Sequence, residues 1–361
     1  MQQEILSTIR EDIISSGLLP WKQLRTDDIS LTKITGGLTN ILYKATSGDD
    51  VLLVRIFGQS DGLLNRVSEN EIYKELASSG VSPRLLGLFP WGRLEEYLTK
   101  NVPLRSGTDM VSITEERDCV SLIAKALARL HKTELSLDAS VCSANIFDVL
   151  SKWVELASKY GDTIKSSPRC SQFTPPSISQ LRTEIGEATN LVKSNLLSNL
   201  KAKNSAVCQV LVSQVLCHND LLSGNIMLDA DTNSVRLIDF EYSGLNYAVA
   251  DIANLFTAVC ESIMLSGHPQ DVRNNFPSRE IQLHFLECYL GHPVEPSEVE
   301  IVLVLILAFS MMDELRWTIW GIIQANQSTV DFDYVFYYNS RFDAYKCYKS
   351  LLTERLSGLL S

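Results

Sequence analysis

The sequence predicts an α+β fold of two lobes. A small N-terminal lobe built on an antiparallel sheet is expected over residues 1–98, and a larger, mainly helical C-terminal lobe over residues 99–361. Short apolar segments separated by turn residues, a pattern typical of strands, are concentrated in the first part. Apolar residues at helical spacing dominate the second part. A chain of 361 residues is long enough for two lobes and a sizeable core.

The N-terminal lobe has the elements of one compact α+β unit. An amphipathic helix is predicted at residues 4–16, where Gly17 ends it, and a second helix at residues 66–79, followed by Gly80. Strands are predicted at residues 41–45, 51–57, 85–89 and 93–98. The first two strands are joined by a turn at SGDD, so we expect them to form a hairpin.

The C-terminal lobe is predicted to be helical, with one interruption. Helices are expected at residues 115–132, 143–160 and 177–201 and again in the remainder of the chain after residue 242. Residues 212–242 interrupt them with short strands around a loop. Ser297 followed by Glu300 predicts a capping box before the apolar run Ile301 to Phe309, which we interpret as a buried helix.

Composition excludes several classes of function. The net charge of −11, from 43 acidic and 32 basic residues, argues against a nucleic-acid or anionic-lipid partner. The eight cysteines form no C-x-x-C pair, so no zinc or redox site is indicated, and free thiols fit a reducing compartment. The longest apolar run is too short to span a bilayer. We therefore expect a cytoplasmic protein with no transmembrane segment.

The chemistry is concentrated in residues 218–225, HNDLLSGN, and residues 238–241, IDFE. Phosphoryl transfer from ATP needs a carboxylate to position the attacking hydroxyl and oxygen ligands to hold Mg²⁺. Asp220 is the candidate for the first role, and Asn225 and Asp239 are the candidates for the second. An Asx-rich turn leading into a hairpin would explain any one of these residues alone. Their joint occurrence at this spacing favours a kinase catalytic loop.

The segments CHNDLLSGNIMLD and LIDFEYSGLNY resemble the signature of the choline/ethanolamine kinase family. The resemblance extends from about residue 31 to residue 346. It implies a protein-kinase-like fold, with ATP and Mg²⁺ as cofactors and a small-molecule amino alcohol as substrate. Protein kinases have Arg-Asp in the loop and Asp-Phe-Gly downstream, and this chain has neither.

By the same resemblance, the N-terminal lobe supplies the ATP-binding residues. The turn at residues 34–40, ITGGLTN, would face the phosphates, with Thr39 and Asn40 donating hydrogen bonds. Arg55 would contact phosphate, oriented by Glu69. The backbone of a hinge at FPWGRLEEYL would receive adenine near Glu95, Glu96 and Tyr97. An ordinary glycine turn, a surface arginine and a solvated glutamate are the alternatives.

The resemblance also implies an amine pocket. Trp317 and Trp320 lie one helical turn apart on one face, and aromatic faces attract a quaternary ammonium. Tyr337 occupies a pocket-lining position of the family, and Glu241 is assigned to the substrate by the same match. The alternative is that the two tryptophans simply fill the core.

Three positions depart from the family pattern in the C-terminal lobe. Leu255 replaces a histidine, and Ala258 replaces a glutamate that faces the positive charge of the substrate. Ile263 occupies the position of an aromatic cage residue in choline kinases. Glu261 would need an offset of one helical turn to compensate for Ala258. Asp251 is interpreted as a structural residue near the catalytic loop.

The sequence therefore predicts transfer of the ATP γ-phosphoryl group to ethanolamine, choline or both, the entry step of phosphatidylethanolamine or phosphatidylcholine synthesis. Ile263 favours ethanolamine, whereas the hinge and the tryptophan pair are similar to those of choline kinases. Two alternatives stay open: a kinase for another amino alcohol or an aminoglycoside-like compound, and a catalytically weak nucleotide-binding relative acting through partners. The sequence also leaves a homodimer open.

Overall fold

The chain forms two compact units, Met1–Asn101 and Val102–Ser361. The structure is a computed structural model. It describes residues 2–34, 40–58, 62–138, 142–160, 175–198, 205–265 and 272–360. Side chains are described for the same residues apart from 2–3, 262–265 and 358–360.

The described part of the first unit has an antiparallel sheet, two α-helices and two short 3-10 helices, Trp21–Gln23 and Thr26–Asp28. Its strands are β1 (Ser30–Ile34), β2 (Ile41–Ser47), β3 (Asp50–Ile56), β4 (Leu85–Phe89) and β5 (Gly92–Glu96). Its helices are α1 (Gln2–Ser15) and α2 (Arg66–Ser78). The strand order is β1-β2-β3-β5-β4, so β5 lies between β3 and β4 although β4 precedes it in the chain. The predicted helices and the four predicted strands are present, and β1 is an addition.

The core of the first unit lies where α1 covers the sheet. Ile9 and Ile13 of α1 pack in one buried cluster with Leu52 and Leu94 of the sheet. Burial of such side chains contributes about 1.5–3 kcal/mol each. At the first residue of β5, the backbones of β5 and β3 approach closely. A Cβ on Gly92 would lie 1.9 Å from the carbonyl oxygen of Arg55. Only glycine fits there.

The second unit is mainly helical. Its helices are α3 (Gly107–Met110), α4 (Cys119–His131), α5 (Ile146–Ser158), α6 (Ile178–Thr189), α7 (Ala206–Leu211), α8 (Ala248–Leu265), α9 (Val272–Asn275), α10 (Arg279–Leu290), α11 (Val299–Gln327) and α12 (Tyr334–Leu360). Helix α6 continues as a π-helical segment, Asn190–Leu197. This helical unit and the N-terminal sheet confirm the predicted α+β class.

Short strands bracket the predicted catalytic segments. They are β6 (Asn101–Pro103), β7 (Gln214–Cys217), β8 (Ile226–Asp229), β9 (Ser234–Leu237) and β10 (Gly244–Tyr247). β7 pairs with β10, and β8 pairs with β9. The loop at residues 218–225 therefore connects β7 to β8, and residues 238–243 connect β9 to β10.

Helix α11 is the centre of the second unit. Residues 302–321 are all buried, which confirms the expected buried helix. The predicted capping box is wrong. The helix begins at Val299, and its N-cap residue, Glu298, makes no side-chain capping bond. Glu300 instead forms an ion pair with Arg279 of α10. Among the described residues, no helix has the length and apolar character needed to cross a membrane.

Candidate active site

The loop at residues 218–225 is fixed by its backbone. The carboxylate of Asp251, on α8, accepts hydrogen bonds of 2.6 Å from the N–H groups of His218 and Asn219. One turn further along α8, the Asn254 side-chain oxygen accepts from the N–H of Leu221, also at 2.6 Å. Asn219 has a φ of 64°, a conformation that asparagine tolerates better than most residues. Helix α8 therefore sets the course of the loop on both sides of Asp220.

Asp251 is itself held from α4. His131 Nε2 lies 3.0 Å from Asp251 Oδ2, and His131 Nδ1 lies 2.7 Å from the Tyr289 hydroxyl. Burial alone would raise the pKa of Asp251, but the His131 hydrogen bond and the backbone donors lower it below its usual value. The interpretation of Asp251 as a structural residue agrees with these contacts.

Among the described residues, one group of His, Cys, Asp or Glu side chains is close enough to hold a metal ion: His131, Cys217 and Asp251. Each of the three already has a protein partner. His131 and Asp251 bond to each other, Asp251 also accepts from the loop backbone, and Cys217 Sγ donates to the carbonyl of Tyr247 at 3.4 Å. A metal ion would have to displace bonds that fix the catalytic loop. These three residues are therefore structural.

His218 orders the loop and is not placed as the proton acceptor. Its Nε2 lies 2.8 Å from the carbonyl oxygen of Ile238, and its Nδ1 lies 3.3 Å from the N–H of Asp220. The ring therefore donates from Nε2 and accepts at Nδ1, which requires the neutral form. Burial favours this form, since it lowers the pKa of His218.

Asp220 has one engaged and one unengaged carboxylate oxygen. Its Oδ2 accepts a hydrogen bond of 3.1 Å from Asn225 Nδ2, whereas Oδ1 is buried without a partner. Burial and the charges of Asp239 and Glu241 raise the pKa of Asp220 well above its usual value. A buried, unpartnered carboxylate oxygen is costly unless a ligand completes it. This oxygen is the most direct sign of a substrate site in the second unit.

Asn225 and Asp239 are brought together by the backbone. The N–H of Ile238 donates to the carbonyl oxygen of Asn225 at 3.0 Å, so the next residue, Asp239, lies beside Asn225. Asp239 has a φ of 64°, an uncommon conformation of the kind found at functional sites. Asn225 directs its Nδ2 at Asp220, which leaves its side-chain oxygen for another ligand. An amide oxygen beside a carboxylate suits a hard cation such as Mg²⁺.

The predicted pocket residues meet in one aromatic cluster. The rings of Trp317 and Trp320 are 5.5 Å apart and nearly perpendicular, and Tyr337 lies 5.5 Å from Trp320. Tyr242 joins them, with its ring 5.6 Å from Trp317 and its hydroxyl accepting a 2.8 Å hydrogen bond from Trp320 Nε1. Trp317 Nε1 is buried without a partner. The cluster offers aromatic faces and one unsatisfied N–H.

Sequence reasoning missed Tyr242 and Arg316. Tyr242 directly follows Glu241 in the motif IDFEY, and this position could have identified it as a site residue. Its pKa is raised by burial and by the charges of Glu241 and Asp220, which links the aromatic cluster to the catalytic loop. For Arg316, which lies in a mainly apolar helix, the sequence pattern did not indicate a role in the site. Its guanidinium lies 4.6 Å from the Trp317 ring centre and donates to the carbonyl of Asn219.

The departures from the family pattern have different structural settings. Leu255 and Ala258 are both buried in α8. Glu261 is also buried, and it forms an ion pair with Arg341 of α12. Ile263 lies in α8, but its side chain is outside the described ones.

In the first unit, the predicted ATP-binding side chains belong to a buried charge network. Arg55 Nε is 2.7 Å from Glu95 Oε1, and the same oxygen accepts from Arg93 Nε at 2.7 Å. The two oxygens of Glu69 accept from Arg93 at 2.8 Å and from Arg66 at 2.6 Å. Glu95 is thus one partner of Arg55 in this network, and the orientation of Arg55 by Glu69 stays a prediction. A phosphate contact for Arg55 stays a prediction.

The remaining residues of the first unit lie at its turn and strand end. Asn40 Oδ1 accepts from Arg66 Nη2 at 3.2 Å, while Thr39 lies outside the described residues. The N–H of Glu96 donates to the carbonyl of Arg84 at 2.9 Å. Tyr97 follows the end of β5, with its ring 5.0 Å from Lys44 Nζ. An adenine-binding role for these backbones stays a prediction.

Comparisons with known proteins find relatives that match most of this chain. The family model described as choline/ethanolamine kinase matches residues 31–346. A probable ethanolamine kinase of Arabidopsis thaliana is 32% identical over 355 residues, covering 94% of this chain and 86% of that protein. A choline/ethanolamine kinase of Rattus norvegicus is 30% identical over 375 residues, covering 93% of this chain and 84% of the rat protein.

Two solved structures share the fold. A choline kinase from Cryptosporidium parvum has a TM-score of 0.75 at 24% identity, with 98% of this chain and 97% of that chain covered. An ethanolamine kinase from Plasmodium vivax has a TM-score of 0.73 at 24% identity, with 95% and 89% covered. These likenesses confirm the predicted protein-kinase-like fold.

Proposed function

Because the chain belongs to the choline/ethanolamine kinase family, we propose that it transfers the γ-phosphoryl group of ATP to the hydroxyl of ethanolamine, choline or both. The observation that carries this proposal is the buried, unpartnered Oδ1 of Asp220, in a loop whose backbone α8 holds at several points. A substrate hydroxyl is the partner that this oxygen lacks.

Asp220 would accept the hydroxyl proton while the substrate oxygen bonds to the γ-phosphorus and the bond from that phosphorus to the leaving oxygen of ADP breaks. Its raised pKa, caused by burial and the neighbouring acidic charges, fits a carboxylate that takes up a proton. Asn225 keeps Oδ2 engaged, so the carboxylate is oriented with Oδ1 available.

We assign the metal to Asn225 and Asp239. The fit rests on the chemistry of the donors, an amide oxygen and a carboxylate, in two segments that the backbone bond from Ile238 to Asn225 joins. When bound, Mg²⁺ would neutralise charge on the transferring phosphate. Asp239 would otherwise add negative charge near Asp220, so occupancy of the metal site and the ionisation of Asp220 are linked.

The ATP-binding assignments in the first unit stay proposals from family resemblance. They are Thr39, Asn40, Arg55, Glu69, Glu95, Glu96 and Tyr97. For the acidic side chains, the contacts favour an indirect role: Glu69 and Glu95 form ion pairs with Arg55, Arg66 and Arg93 and so hold these arginines in place. The backbone of Tyr97, beyond the end of β5, is the strongest of the hinge positions because the N–H of Glu96 is already bonded.

For the amine, we propose Trp317, Trp320 and Tyr337 as the aromatic walls, with Tyr242 and Glu241 beside them. The support for this assignment is that the two tryptophans lie in one aromatic cluster, since aromatic faces attract a cation. The intact set of Asp220, Asn225 and Asp239 favours an active enzyme over a weak nucleotide-binding relative. The homodimer and the cytoplasmic location stay predictions.

A coupled assay of ADP release tests the proposal. Wild type should release ADP faster with ethanolamine or choline than without an acceptor, and Asp220→Asn should lower kcat by at least about 100-fold. Asp148→Asn, an exposed aspartate on α5, is the matched control and should keep wild-type rates. Absence of acceptor stimulation by either amine would reject the proposed function. Stimulation by an aminoglycoside alone would favour the alternative kinase.

A further inference from the structure

One carboxylate of α11, that of Asp313, bonds to three side chains through its two oxygens. Its Oδ1 lies 2.7 Å from Arg316 Nη2. Its Oδ2 accepts hydrogen bonds of 3.1 Å from Asn254 Nδ2 and of 2.7 Å from the Thr257 hydroxyl, both on α8. All four side chains are buried. A buried polar network that is satisfied in this way fixes the orientation of each of its members.

Two of these side chains hold the catalytic loop on both sides of Asp220. Arg316 Nη2 donates to the carbonyl oxygen of Asn219 at 2.7 Å, and Asn254 Oδ1 accepts from the N–H of Leu221 at 2.6 Å. Asn219 and Leu221 are the residues directly before and after Asp220 in the chain. Both contacts come from side chains that bond to the same carboxylate, so the position of that carboxylate affects the backbone on each side of the proposed base.

The direction of these hydrogen bonds requires an acceptor at both oxygens of Asp313. The N–H of Leu221 can only donate, so the atom of Asn254 that faces it must be the amide oxygen. The NH₂ group of Asn254 then faces one oxygen of Asp313, while the guanidinium of Arg316 faces the other. An ionised carboxylate accepts at both oxygens, whereas an amide accepts at only one of its two atoms.

We propose that Asp313 is a positioning residue for phosphoryl transfer: it orients Asn254 and Arg316, which in turn fix the backbone around Asp220. This inference rests on the proposed function and adds to it a residue that acts through others. The oxygens of Asp313 are bonded within the protein, so its contribution is the place of Asp220, whose Oδ1 must meet the substrate hydroxyl at hydrogen-bond distance. A displacement of about 1 Å at such a group can lower the rate about 100-fold.

The test is Asp313→Asn, which keeps the size of the side chain and changes one acceptor into a donor. Whichever way the new amide turns, its NH₂ group faces a donor, either on Asn254 or on Arg316. We expect kcat with ethanolamine or choline to fall about 10- to 100-fold, while KM for ATP and for the amine stay within about twofold. Glu314→Gln is the matched control and should keep the wild-type kcat, because Glu314 is the neighbouring buried carboxylate of α11 and pairs with Arg341 of α12.

A second exchange separates positioning from a general loss of stability. When Asn254→Asp is combined with Asp313→Asn, the new carboxylate at position 254 can accept both from the N–H of Leu221 and from the new amide at position 313. The oxygen of that amide is then left for Arg316, so a donor faces an acceptor at each contact and the net charge is unchanged. The double variant should recover kcat to within about fivefold of wild type. Asn254→Asp alone places two carboxylates side by side and should stay slow.

Amide hydrogen exchange tests the same contacts without turnover. The amide of Leu221 should be protected in wild type, exchange at least about tenfold faster in Asp313→Asn, and regain protection in the double variant. A wild-type kcat in Asp313→Asn, a double variant that does not fold or stays slow, or an unprotected Leu221 amide in wild type would each overturn the inference. Absence of ADP release by wild type with either amine would instead reject the proposed function, and the exchange rates would still decide whether Asp313 holds the loop.

Discussion

Arg316 Nη2 donates a hydrogen bond of 2.7 Å to the carbonyl oxygen of Asn219, the residue before Asp220. The same nitrogen lies 2.7 Å from Asp313 Oδ1, so the guanidinium is fixed on α11. Arg316 precedes Trp317 in the chain and stacks on its ring. One buried side chain thus connects the catalytic loop to the proposed amine pocket.

Replacement of Arg316 should therefore lower kcat more than it changes substrate binding. Arg316→Met removes the donor to Asn219, whose backbone has an uncommon conformation, and we expect kcat to fall about 10- to 100-fold, since small displacements of a catalytic group are costly. KM for ATP should stay within about twofold. Steady-state kinetics measure both.

Two further variants make the Arg316 result interpretable. Arg316→Lys keeps the charge and one donor, so it should recover part of kcat. Arg182→Met, which removes an exposed arginine paired with Glu155, should leave kcat unchanged. A wild-type kcat in Arg316→Met, in a protein that folds normally, would show that the loop does not depend on this contact.

Glu95 should stabilise the first unit in a way that depends on pH. Burial alone would raise its pKa, but Arg55 and Arg93 lower it to about 2. A carboxylate with a lowered folded-state pKa stabilises the protein above its unfolded pKa, and this contribution is lost as the pH falls toward about 2. Glu95→Gln should therefore reduce the free energy of unfolding by about 3 kcal/mol at neutral pH, because two buried guanidinium groups lose their shared partner.

Urea denaturation at pH 7 and at pH 3.5 measures this effect, and the difference between Glu95→Gln and wild type should be smaller at the lower pH. Glu71→Gln is the control, because Glu71 pairs with Lys74 on the exposed face of α2 and should contribute less than about 1 kcal/mol. An equal loss for the two variants would contradict the importance assigned to the buried network.

Glu314 should have the opposite pH dependence. Burial raises its pKa from 4.5 to about 8, although Arg341 opposes the shift. A carboxyl group with a raised folded-state pKa stabilises the protein fully below its unfolded pKa, and this contribution is lost as the pH rises through about 8. Glu314→Gln keeps an oxygen for Arg341 but cannot ionise. The stability of this variant relative to wild type should therefore rise by about 2–3 kcal/mol between pH 6 and pH 9.

Denaturation midpoints of the two proteins at pH 6 and pH 9 provide the measurement. A difference that is constant across this range would mean that Glu314 does not titrate there. The exposed Glu155 offers a matched variant, Glu155→Gln, whose effect should not vary with pH in this range.

Contacts between residues close in the sequence could be predicted, whereas contacts between distant residues could not. Asp220, Asn225 and Asp239 lie in two short segments joined by one hairpin, so their spacing alone predicted that they meet. The partner of Arg55 could not be read this way. The β3–β5 register sets Arg55 opposite Arg93, and Glu95 then lies between two guanidinium groups. That register depends on strands distant in sequence.

Helix α11 illustrates the same limit. Its apolar periodicity predicted a buried helix, but Asp313 and Arg316 are buried within it because they bond to residues of α8 and of the catalytic loop. Such contacts are set by how helices pack, and an isolated helix sequence carries no sign of them. The tryptophan pair was predictable because both members lie on one helix face.

The hydrogen bond between Trp320 and Tyr242 should shape the amine pocket. Trp320→Phe keeps an aromatic ring but removes the 2.8 Å bond from Nε1 to the Tyr242 hydroxyl. The loss of one neutral hydrogen bond, about 1 kcal/mol, predicts a rise of about fivefold in KM for either amine. KM for ATP should not change, because neither ring contributes to the proposed ATP contacts.

Tyr242→Phe removes the same bond from the other side, so its effect should be similar and the double variant should not show the sum of the two. Trp91→Phe is the control, since Trp91 donates to Asp12 at 2.6 Å within the first unit and is not one of the proposed amine walls. Amine titrations of wild type and the four variants in the ADP-release assay decide the matter. Fully additive effects of Trp320→Phe and Tyr242→Phe would mean that the two rings act on the amine independently, and the bond between them would then have no part in substrate binding.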